Sequence, residues 1–208
     1  MQTPRENIFP VHHGIQTREE KEEILQQRSA VIWLTGLSGA GKTTLARCLE
    51  EELSSRGYLT QILDGDNIRS GVNSNLGFSD ADRFENIRRI AEISKLFLNC
   101  GIITINCFIS PTEDIRDMAR SIIGKDDFIE VYVNAPLNVC EERDVKGLYS
   151  KARRGEIREF TGITSPFETP QNTDIEIRTD LLSIEESVKL IVEFVLPRVE
   201  YGNAGMQE

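Results

Sequence analysis

Apolar and polar residues alternate along this chain with two different periods. Short apolar runs, typical of strands buried on both faces, are separated by longer segments whose apolar residues recur with the helical period. The predicted strands are 31–35, 59–63, 102–108, 128–133 and 175–178. The predicted helices are 42–55, about 80–99, 113–122, 136–142 and 183–196. This alternation predicts an α/β fold with a mostly parallel central sheet.

Two segments do not follow this alternation. Residues 1–17 are irregular and predict an extended arm, after which Thr17 and Glu20 form a capping-box pattern that opens a short helix ending at about Arg28. Residues 144–172 lack a strong period and are rich in Gly, Lys, Arg, Thr and Pro. Because so long a loop inside a compact domain is usually functional, we interpret it as a lid over a ligand site.

The segment after the first strand completes a phosphate-binding loop of the pattern GxxxxGK[ST]. Its glycines let main-chain N–H groups approach a phosphate, Lys42 is expected to reach the β- and γ-phosphates, and the Thr43 hydroxyl to bind Mg²⁺. The predicted ATP-binding residues are Gly36, Leu37, Ser38, Gly39, Ala40, Gly41, Lys42 and Thr43. The prediction is therefore a three-layer P-loop kinase fold, with an arm and short helix at 1–28 and a P-loop kinase domain with its lid at 29–208.

The charge and composition limit the classes of partner. The net charge of −10 disfavours nucleic acid and anionic membranes, which both reward a basic surface. No apolar run approaches the roughly 20 residues that span a bilayer, and residues 1–10 lack the layout of a secretory signal. The four cysteines show no zinc-ligand spacing and suit reduced, buried thiols. We therefore expect a cytoplasmic protein that binds neither nucleic acid nor membrane.

Polar side chains follow the predicted second strand, at the sheet edge that also carries the phosphate loop. A carboxylate of the sequence DGDNIR is expected to accept a hydroxyl proton or to hold Mg²⁺ through water; the alternative is an Asx-rich turn that caps a helix. Arg69 and Phe78 follow, and the next helix carries Arg83 and Asn86 on one face, with Arg88 and Arg89 after them. These arginines are interpreted as contacts for an anionic ligand, with solvated surface arginines as the alternative.

The third predicted strand ends in FISP, which places Ile109 and Ser110 at the same edge. Ser110 is expected to be open to the cleft as a nucleophile, a substrate hydrogen-bonding group or a helix cap, although no histidine is positioned in sequence to activate it. In the lid, residues 143–158 carry six basic and two acidic side chains, so 6 − 2 = +4. This cluster is interpreted as a phosphate-facing surface, with a solvated charged face as the alternative.

Together these motifs resemble those of the adenylyl-sulfate kinase (APS kinase) family, in its stand-alone form. The matching motifs are GLSGAGKT, DGDNIR, LGFS, ENIRR, FISP, DVKGLY-KAR and FTGI. The phosphate loop is shared by many families, whereas DGDNIR with FISP, GLY-KAR and FTGI is highly specific. The resemblance implies transfer of the γ-phosphate of ATP to the ribose 3′-hydroxyl of adenosine 5′-phosphosulfate, giving PAPS and ADP in sulfate activation, with Mg²⁺ as cofactor.

The resemblance also implies roles for single residues. The catalytic residues would be Lys42, Asp66 and Ser110; Ser110 matches a serine often assigned as a phosphoserine intermediate, although we expect direct in-line transfer. Phe78 and Phe160 would stack on adenine, and the lid cations Lys151 and Arg153 would join Lys146 in neutralising the transferring phosphoryl group. The substrate-binding residues would be Asp66, Arg69, Phe78, Arg83, Asn86, Ile109, Ser110, Lys146 and Phe160.

Some expectations stay open at this point. The chain departs from the family pattern at Ser70 and at Thr112–Glu113. The family suggests a homodimer and allows association with ATP sulfurylase. The alternative functions are another small P-loop metabolite kinase, such as a nucleoside or gluconate kinase, and a non-catalytic nucleotide switch or regulatory partner of sulfurylase. The sequence contains no guanine-reading NKxD motif, which disfavours a GTPase-type switch.

Overall fold

Five strands and eight helices alternate along residues 14–202, the part of the chain that the computed structural model describes. The strands are β1 (Val31–Thr35), β2 (Thr60–Asp64), β3 (Ile103–Cys107), β4 (Phe128–Asn134) and β5 (Ile175–Arg178). The helices are α1 (Arg18–Leu25), α2 (Lys42–Ser55), α3 (Gly65–Ser70), α4 (Asp80–Leu98), α5 (Glu113–Ile123), α6 (Leu137–Arg143), α7 (Leu148–Arg153) and α8 (Ile184–Val199).

All five strands form one parallel sheet in the order β2-β3-β1-β4-β5. The central strand β1 is buried along its whole length, which explains its continuous apolar sequence. Its side chains alternate between two cores: Ile32 and Leu34 pack with α2 and α8, whereas Val31 and Trp33 pack with α4 and α5. The predicted three-layer α/β fold is confirmed, and the sheet is wholly parallel.

The predicted elements agree with the structure except at two short helices. Strands β1 and β5 and helix α2 have the predicted bounds, while the other predicted long elements differ by one to three residues at their ends. Helices α3 and α7 were not predicted, because six residues are too few to show a helical period. In α3 the Asp64 carboxylate caps the helix by accepting from the Asp66 N–H at 3.0 Å, so the Asx turn is present as well.

The predicted capping box at the start of the chain is confirmed. Thr17 caps α1, and the Glu20 side chain accepts in return from the Thr17 N–H at 2.8 Å. The helix ends at Leu25 rather than Arg28, because Gln26 adopts a left-handed conformation with φ of 52°. Arg18 joins α1 to the residue before β4, donating to both Asp127 carboxylate oxygens at 2.8 and 2.7 Å. Residues 1–13 of the predicted arm lie outside the described residues, and the division at residue 28 stays a prediction.

Candidate active site

The carboxyl ends of the strands open into a cleft of about 930 Å³. This volume lies at the upper end of the range for small-molecule sites, about 300–1,000 Å³. The cleft brings together predicted site residues from four separate segments of the chain. They are Ser38, Gly39, Gly41, Lys42, Thr43, Asp66, Arg69, Phe78, Arg83, Asn86, Ile109, Ser110, Lys146 and Phe160.

The phosphate loop joins β1 to α2, and its shape depends on glycine. Gly36 has φ of 151°, and a Cβ at this position would lie 2.3 Å from the Val133 carbonyl oxygen of β4. A Cβ on Gly39, whose φ is 76°, would lie 2.9 Å from the Cys140 carbonyl oxygen of α6. Because neighbouring main chain approaches the loop this closely, only glycine fits at these positions.

Lys42, the first residue of α2, turns back over the loop. Its ammonium group donates to the carbonyl oxygens of Gly36 and Leu37 at 2.9 and 2.8 Å. Burial lowers the pKa of Lys42 to about 8, because desolvation disfavours the charged amine. An anionic phosphate beside this amine would favour its protonated form. Binding of a phosphate in the loop would therefore stabilise the positive charge of Lys42.

Thr43 lies beside an acidic residue that the sequence reasoning did not assign to the site. Its hydroxyl donates to Asp64 Oδ2 at 2.9 Å. Asp64 ends β2, directly opposite Cys107 at the end of β3. The sequence DGD contains two aspartates, and only the end of β2 at Asp64 distinguishes the one that lies beside Thr43. Thr43 and Asp64 together offer two hard oxygen atoms at the cleft, which suits Mg²⁺.

Asp66 lies in the first turn of α3 and lines the cleft. Its carboxylate is exposed and forms an ion pair with the Lys146 ammonium group from the segment 144–172. The predicted lid thus contacts the predicted catalytic carboxylate directly. An exposed ion pair of this kind adds little stability, about 0–1 kcal/mol. Its importance lies in placing a cation and a carboxylate together inside the cleft.

Arg69 and Phe78 form a second pair in the cleft. The Arg69 guanidinium lies 4.5 Å from the centre of the Phe78 ring and donates to the Gly77 carbonyl oxygen at 2.8 Å. Phe78 is 61% exposed, so much of its ring is available to a ligand. Burial and the nearby positive charge of Arg83 lower the pKa of Arg69. Two close guanidinium groups create a local positive field that attracts an anion.

Arg83, near the start of α4, fastens the lid to the rest of the site. Its guanidinium donates to the Phe78 carbonyl oxygen and to Thr161 Oγ1, both at 2.8 Å, and also to the Glu159 carbonyl oxygen. Phe160 lies between these two lid residues, where its ring packs edge-on against Tyr149 with centroids 5.0 Å apart. Arg83 therefore holds the chain at Phe78 and on both sides of Phe160, the two residues predicted to stack on adenine.

Other arginines of α4 do not face the cleft. Arg88 and Arg89 both bind Glu85 on the outer side of the helix, at 2.6 and 2.8 Å. This pairing lowers the pKa of Glu85 to about 2. The interpretation of helix arginines as ligand contacts is therefore restricted to Arg83. Arg88 and Arg89 follow the alternative reading, a charged surface.

Ser110 follows β3 in a left-handed conformation, with φ of 45°. Ser110 lines the cleft, but it is not open as expected: the residue is 1% exposed, and its hydroxyl accepts from Trp33 Nε1 at 2.9 Å. Trp33 is fully buried in β1, so its indole N–H requires an acceptor. The neighbouring Ile109 is fixed through its carbonyl oxygen, which accepts from Thr35 Oγ1 at 2.7 Å.

A buried charged cluster supports the Ser110 turn. Arg116 of α5 is 1% exposed and donates to the Ser110 carbonyl oxygen at 2.8 Å. It also donates to Glu113 Oε2 at 2.6 Å, so the departure at Thr112–Glu113 supplies a partner for a buried arginine. Glu130 of β4 pairs with Arg116 and Arg120, while burial raises its pKa. This cluster fixes the main chain beneath the cleft.

The lid cations are placed differently from the prediction. Lys151 and Arg153 lie on α7 outside the residues that line the cleft, and Arg153 binds Glu141 instead. The cations that line the cleft from this part of the chain are Arg143, Lys146 and Arg158. Arg143 donates to the Thr179 carbonyl oxygen at 2.7 Å and to the Gly39 carbonyl oxygen at 3.2 Å. The basic cluster contained these residues, but charge alone did not distinguish them.

The sequence of this chain is similar to those of one known family of proteins. The sequence profile of the family described as "Adenylylsulphate kinase" matches residues 28–178. The protein called adenylyl-sulfate kinase in Bacteroides thetaiotaomicron is 62% identical over 196 residues, covering 94% of this chain and 98% of that protein.

Solved structures show the same similarity. The Mycobacterium tuberculosis APS kinase CysC, solved with AMPPNP and APS, matches with a TM-score of 0.78 and 44% identity, covering 81% of this chain and 98% of that one. The hexameric APS kinase from Thiobacillus denitrificans matches with a TM-score of 0.60 and 30% identity, covering 82% of this chain and 29% of that one.

Proposed function

This chain belongs to the adenylylsulphate kinase family, and we propose that it transfers the γ-phosphate of ATP to the ribose 3′-hydroxyl of adenylyl sulfate. The observation that carries this proposal is that one cleft is lined both by the phosphate loop and by the Arg69, Phe78 and Arg83 group. A triphosphate and an anionic aromatic acceptor therefore fit the same cavity. The two arginines (Arg69 and Arg83) and two phenylalanines (Phe78 and Phe160) suit an anionic adenine nucleotide better than a sugar, which disfavours a gluconate-kinase-like function.

The phosphate-loop half is proposed to bind ATP. Main-chain N–H groups at the start of α2 and the Lys42 ammonium group would hold the β- and γ-phosphates. In phosphoryl transfer most of the acceleration comes from positioning and from neutralising charge, so a fixed cation next to the transferring group is the main requirement. Lys146, which reaches the cleft from the lid, is proposed to supply a second cation.

Thr43 and Asp64 are proposed to hold Mg²⁺ together with the phosphates. Their oxygen atoms lie 2.9 Å apart at the cleft, and both are ligands that Mg²⁺ prefers. Among residues 14–202 no cluster of three or more His, Cys, Asp or Glu side chains could form a protein cage for a metal. Mg²⁺ in kinases is bound by one or two protein oxygens plus phosphates and water, so this pair is sufficient. When bound, the ion would neutralise charge on the phosphates.

The acceptor half is proposed to bind adenylyl sulfate. Phe78 and Phe160 would stack on its adenine, an interaction worth about 1–3 kcal/mol per base. Arg69, Arg83 and Asn86, with the main chain at Ile109, would hold the phosphosulfate group. Asp66 would lie closest to the 3′-hydroxyl and accept its proton as the in-line transfer proceeds. Ser110 is proposed to shape this half rather than to form a phosphoserine, because its hydroxyl is bonded to a buried indole.

An ADP-release assay tests the proposal directly. Purified protein with Mg-ATP is compared with adenylyl sulfate, AMP and adenosine as acceptors. We expect rapid turnover with adenylyl sulfate alone and a loss of about 10²–10⁴-fold in Asp66→Ala, the range for removal of a general base. Asp126→Ala, which removes an exposed carboxylate from the turn before β4, is the control. Equal turnover of all three acceptors would overturn the assignment of the substrate.

Assembly and location are also proposals. We propose that the protein forms a homodimer in the cytoplasm and that it can associate with ATP sulfurylase. The Thiobacillus denitrificans relative is hexameric, so oligomers exist among similar proteins. No helix within residues 14–202 has the length and hydropathy to cross a membrane. Light scattering coupled to gel filtration, with and without adenylyl sulfate, measures the mass; a monomer at micromolar concentration would contradict the dimer.

A further inference from the structure

A buried asparagine that does not line the cleft contacts one that does. Asn73, in the connection between α3 and α4, is fully buried, and its Nδ2 donates to Asn86 Oδ1 at 3.0 Å. The main chain of Asn73 is fixed on both sides: its N–H donates to the Ile68 carbonyl oxygen, and its own carbonyl oxygen accepts from Leu76, each at 3.0 Å. The main chain that carries the Asn73 side chain is therefore held in place beside Asn86.

The direction of both amide groups follows from a second contact between Asn73 and Asn86. Asn73 Nδ2 also donates to the Asn86 main-chain carbonyl oxygen, at 3.4 Å. A carbonyl oxygen only accepts, so Asn73 must present its NH₂ group on this side. Asn86 must then present its oxygen to Asn73, since two facing NH₂ groups would repel. These two contacts assign the oxygen of Asn86 to the side that faces Asn73, and they leave Asn73 Oδ1 buried without a hydrogen-bond partner within residues 14–202.

The amide nitrogen of Asn86 is consequently directed away from Asn73. Asn86 is 5% exposed, and it lines the cleft beside Arg69 and Arg83. Its oxygen accepts from Asn73. Within residues 14–202 its Nδ2 donates to no group, and this nitrogen is not fully buried. That NH₂ group is thus the part of Asn86 that a ligand can reach. It adds a neutral donor to a region with two guanidinium groups.

We propose that Asn73 is a positioning residue that fixes Asn86 as a hydrogen-bond donor toward the phosphosulfate group of adenylyl sulfate. This inference rests on the proposed function. Without Asn73 the Asn86 amide is free to rotate and to present its oxygen, an acceptor, to an anion that needs donors. The Asn73 side chain does not line the cleft, and its hydrogen bonds go to Asn86, so its effect is transmitted through Asn86.

The test measures KM and kcat for both substrates in Asn73→Ala, with Asn106→Ala as matched control. Asn106 is also fully buried and also donates to α4, to Ser94 Oγ at 2.7 Å, but lies outside the cleft lining. We expect Asn73→Ala to raise KM for adenylyl sulfate about tenfold, equivalent to about 1.4 kcal/mol, with KM for ATP nearly unchanged. Asn106→Ala should lower thermal stability without changing either KM. Equal changes in both variants would overturn the inference.

A double-mutant cycle separates positioning from general destabilisation. In an Asn86→Ala background, Asn73→Ala should have no further effect on KM for adenylyl sulfate, because the group that it positions is gone. Additive effects would overturn the inference. Asn86→Asp keeps the oxygen that Asn73 requires and is therefore expected to fold even if Asn73→Ala does not. It replaces the donor at the cleft by a negative oxygen, so KM for adenylyl sulfate should rise at least tenfold.

The two proposals fail in different places. If wild-type protein does not prefer adenylyl sulfate over AMP, the proposed function is wrong. If wild-type protein has that preference but Asn86→Asp binds adenylyl sulfate as well as wild type does, the assigned direction of the Asn86 amide is wrong. Thermal melting of each variant confirms that the kinetic comparison is made on folded protein.

Discussion

The two halves of the cleft are held by different kinds of contact. The phosphate loop is fixed by main chain: Gly36 lies so close to β4 that a single added carbon would overlap the Val133 carbonyl oxygen. The acceptor half is assembled from side chains, with Arg83 bonded to Glu159 and Thr161, residues more than 70 positions away. The residues of the first half are contiguous in sequence and are held by neighbouring main chain, whereas the second half depends on a few exposed or partly buried hydrogen bonds.

The largest expected effect comes from adding one carbon to the rigid half. Gly36→Ala places a Cβ 2.3 Å from the Val133 carbonyl oxygen in a conformation that L-residues rarely adopt. The loop or β4 must then shift, and a displacement of about 1 Å at a reacting centre costs on the order of 10²-fold in rate. We expect kcat/KM for ATP to fall by at least that factor, as measured in the ADP-release assay.

Gly57→Ala is the matched control for this change. Gly57 also has a positive φ, 91°, but a Cβ there would meet no atom within 4 Å, and the residue does not line the cleft. It should lower the free energy of unfolding by about 1 kcal/mol, the cost of a left-handed conformation without glycine, and leave kcat/KM unchanged. Similar activity in both variants would show that close approach at Gly36 is not what the phosphate loop requires.

The acceptor half should respond to the loss of Arg83. Arg83→Met keeps most of the side-chain volume but removes the hydrogen bonds to the Phe78 and Glu159 carbonyl oxygens and to Thr161. Hydrogen bonds to a charged group are worth about 1.5–3 kcal/mol each, but solvent weakens these three because they are exposed or partly buried. We therefore expect a combined loss of about 2 kcal/mol, so kcat/KM for adenylyl sulfate should fall about 30-fold. KM for ATP should change much less, because the phosphate loop does not contact Arg83.

Arg88→Met tests whether any arginine of α4 would give this result. Arg88 belongs to the same helix but binds Glu85 on the outer face, away from the cleft. We expect wild-type kinetics and a small loss of stability, within about 0.5 kcal/mol for an exposed ion pair on a helix. If Arg83→Met lowered kcat/KM equally for ATP and adenylyl sulfate, the two halves of the cleft would not be independent, contrary to what the contacts indicate.

The pH dependence of ATP use follows from Lys42. Burial lowers the pKa of this amine from 10.5 to about 8 in the free protein, so it loses its charge as pH rises through that value. Above about pH 8 we expect kcat/KM for ATP to fall about tenfold per pH unit, because this parameter reports ionisation of the free enzyme. At saturating ATP the phosphates favour the charged amine, so kcat should decline at a higher pH.

The lowered pKa of Lys42 has the opposite effect on folding stability as pH rises. Between pH 8 and 10.5 the unfolded chain keeps a proton on this lysine that the folded protein has lost. The unfolded state then binds more protons, so the contribution of Lys42 to stability increases with pH across this window. Thermal melting and kcat/KM measured over the same pH range should therefore change in opposite directions. A parallel decline in both would indicate unfolding rather than titration of Lys42.

The contrast between the two halves also explains what the sequence can predict. The bounds of β1 and α2 and the phosphate loop between them were predicted correctly, because a buried strand, a glycine turn and a helix start are encoded by adjacent residues. The positions of Lys151 and Arg153 were not, because a cluster of charges in an irregular segment has no period to show which side faces the cleft. For such residues only the fold decides between partners.

Three residues of the site illustrate signals that a single sequence does not contain. Asp64 was hidden by the neighbouring Asp66, and its role became visible only when the parallel sheet placed it beside Thr43. Asn73 has no motif that marks it as buried, since asparagine in a connecting segment usually indicates a turn. Ser110 was assigned an open position from its place at a strand end, but the partner that buries it, Trp33, lies on another strand.

The smallest expected effect is therefore at Ser110, where resemblance suggests a covalent role and the contacts suggest a structural one. Ser110→Ala removes the acceptor for the fully buried Trp33 Nε1, so the free energy of unfolding should fall by about 1–3 kcal/mol, the cost of an unsatisfied buried donor. Since direct transfer needs no serine nucleophile, kcat should stay within about threefold of wild type, or about 0.6 kcal/mol. Ser110→Thr, which retains the hydroxyl, should recover the lost stability in part. Loss of kcat by several orders of magnitude in a folded Ser110→Ala variant that still binds ATP would contradict direct transfer, whereas loss of stability with retained kcat would place this serine in the scaffold of the acceptor half.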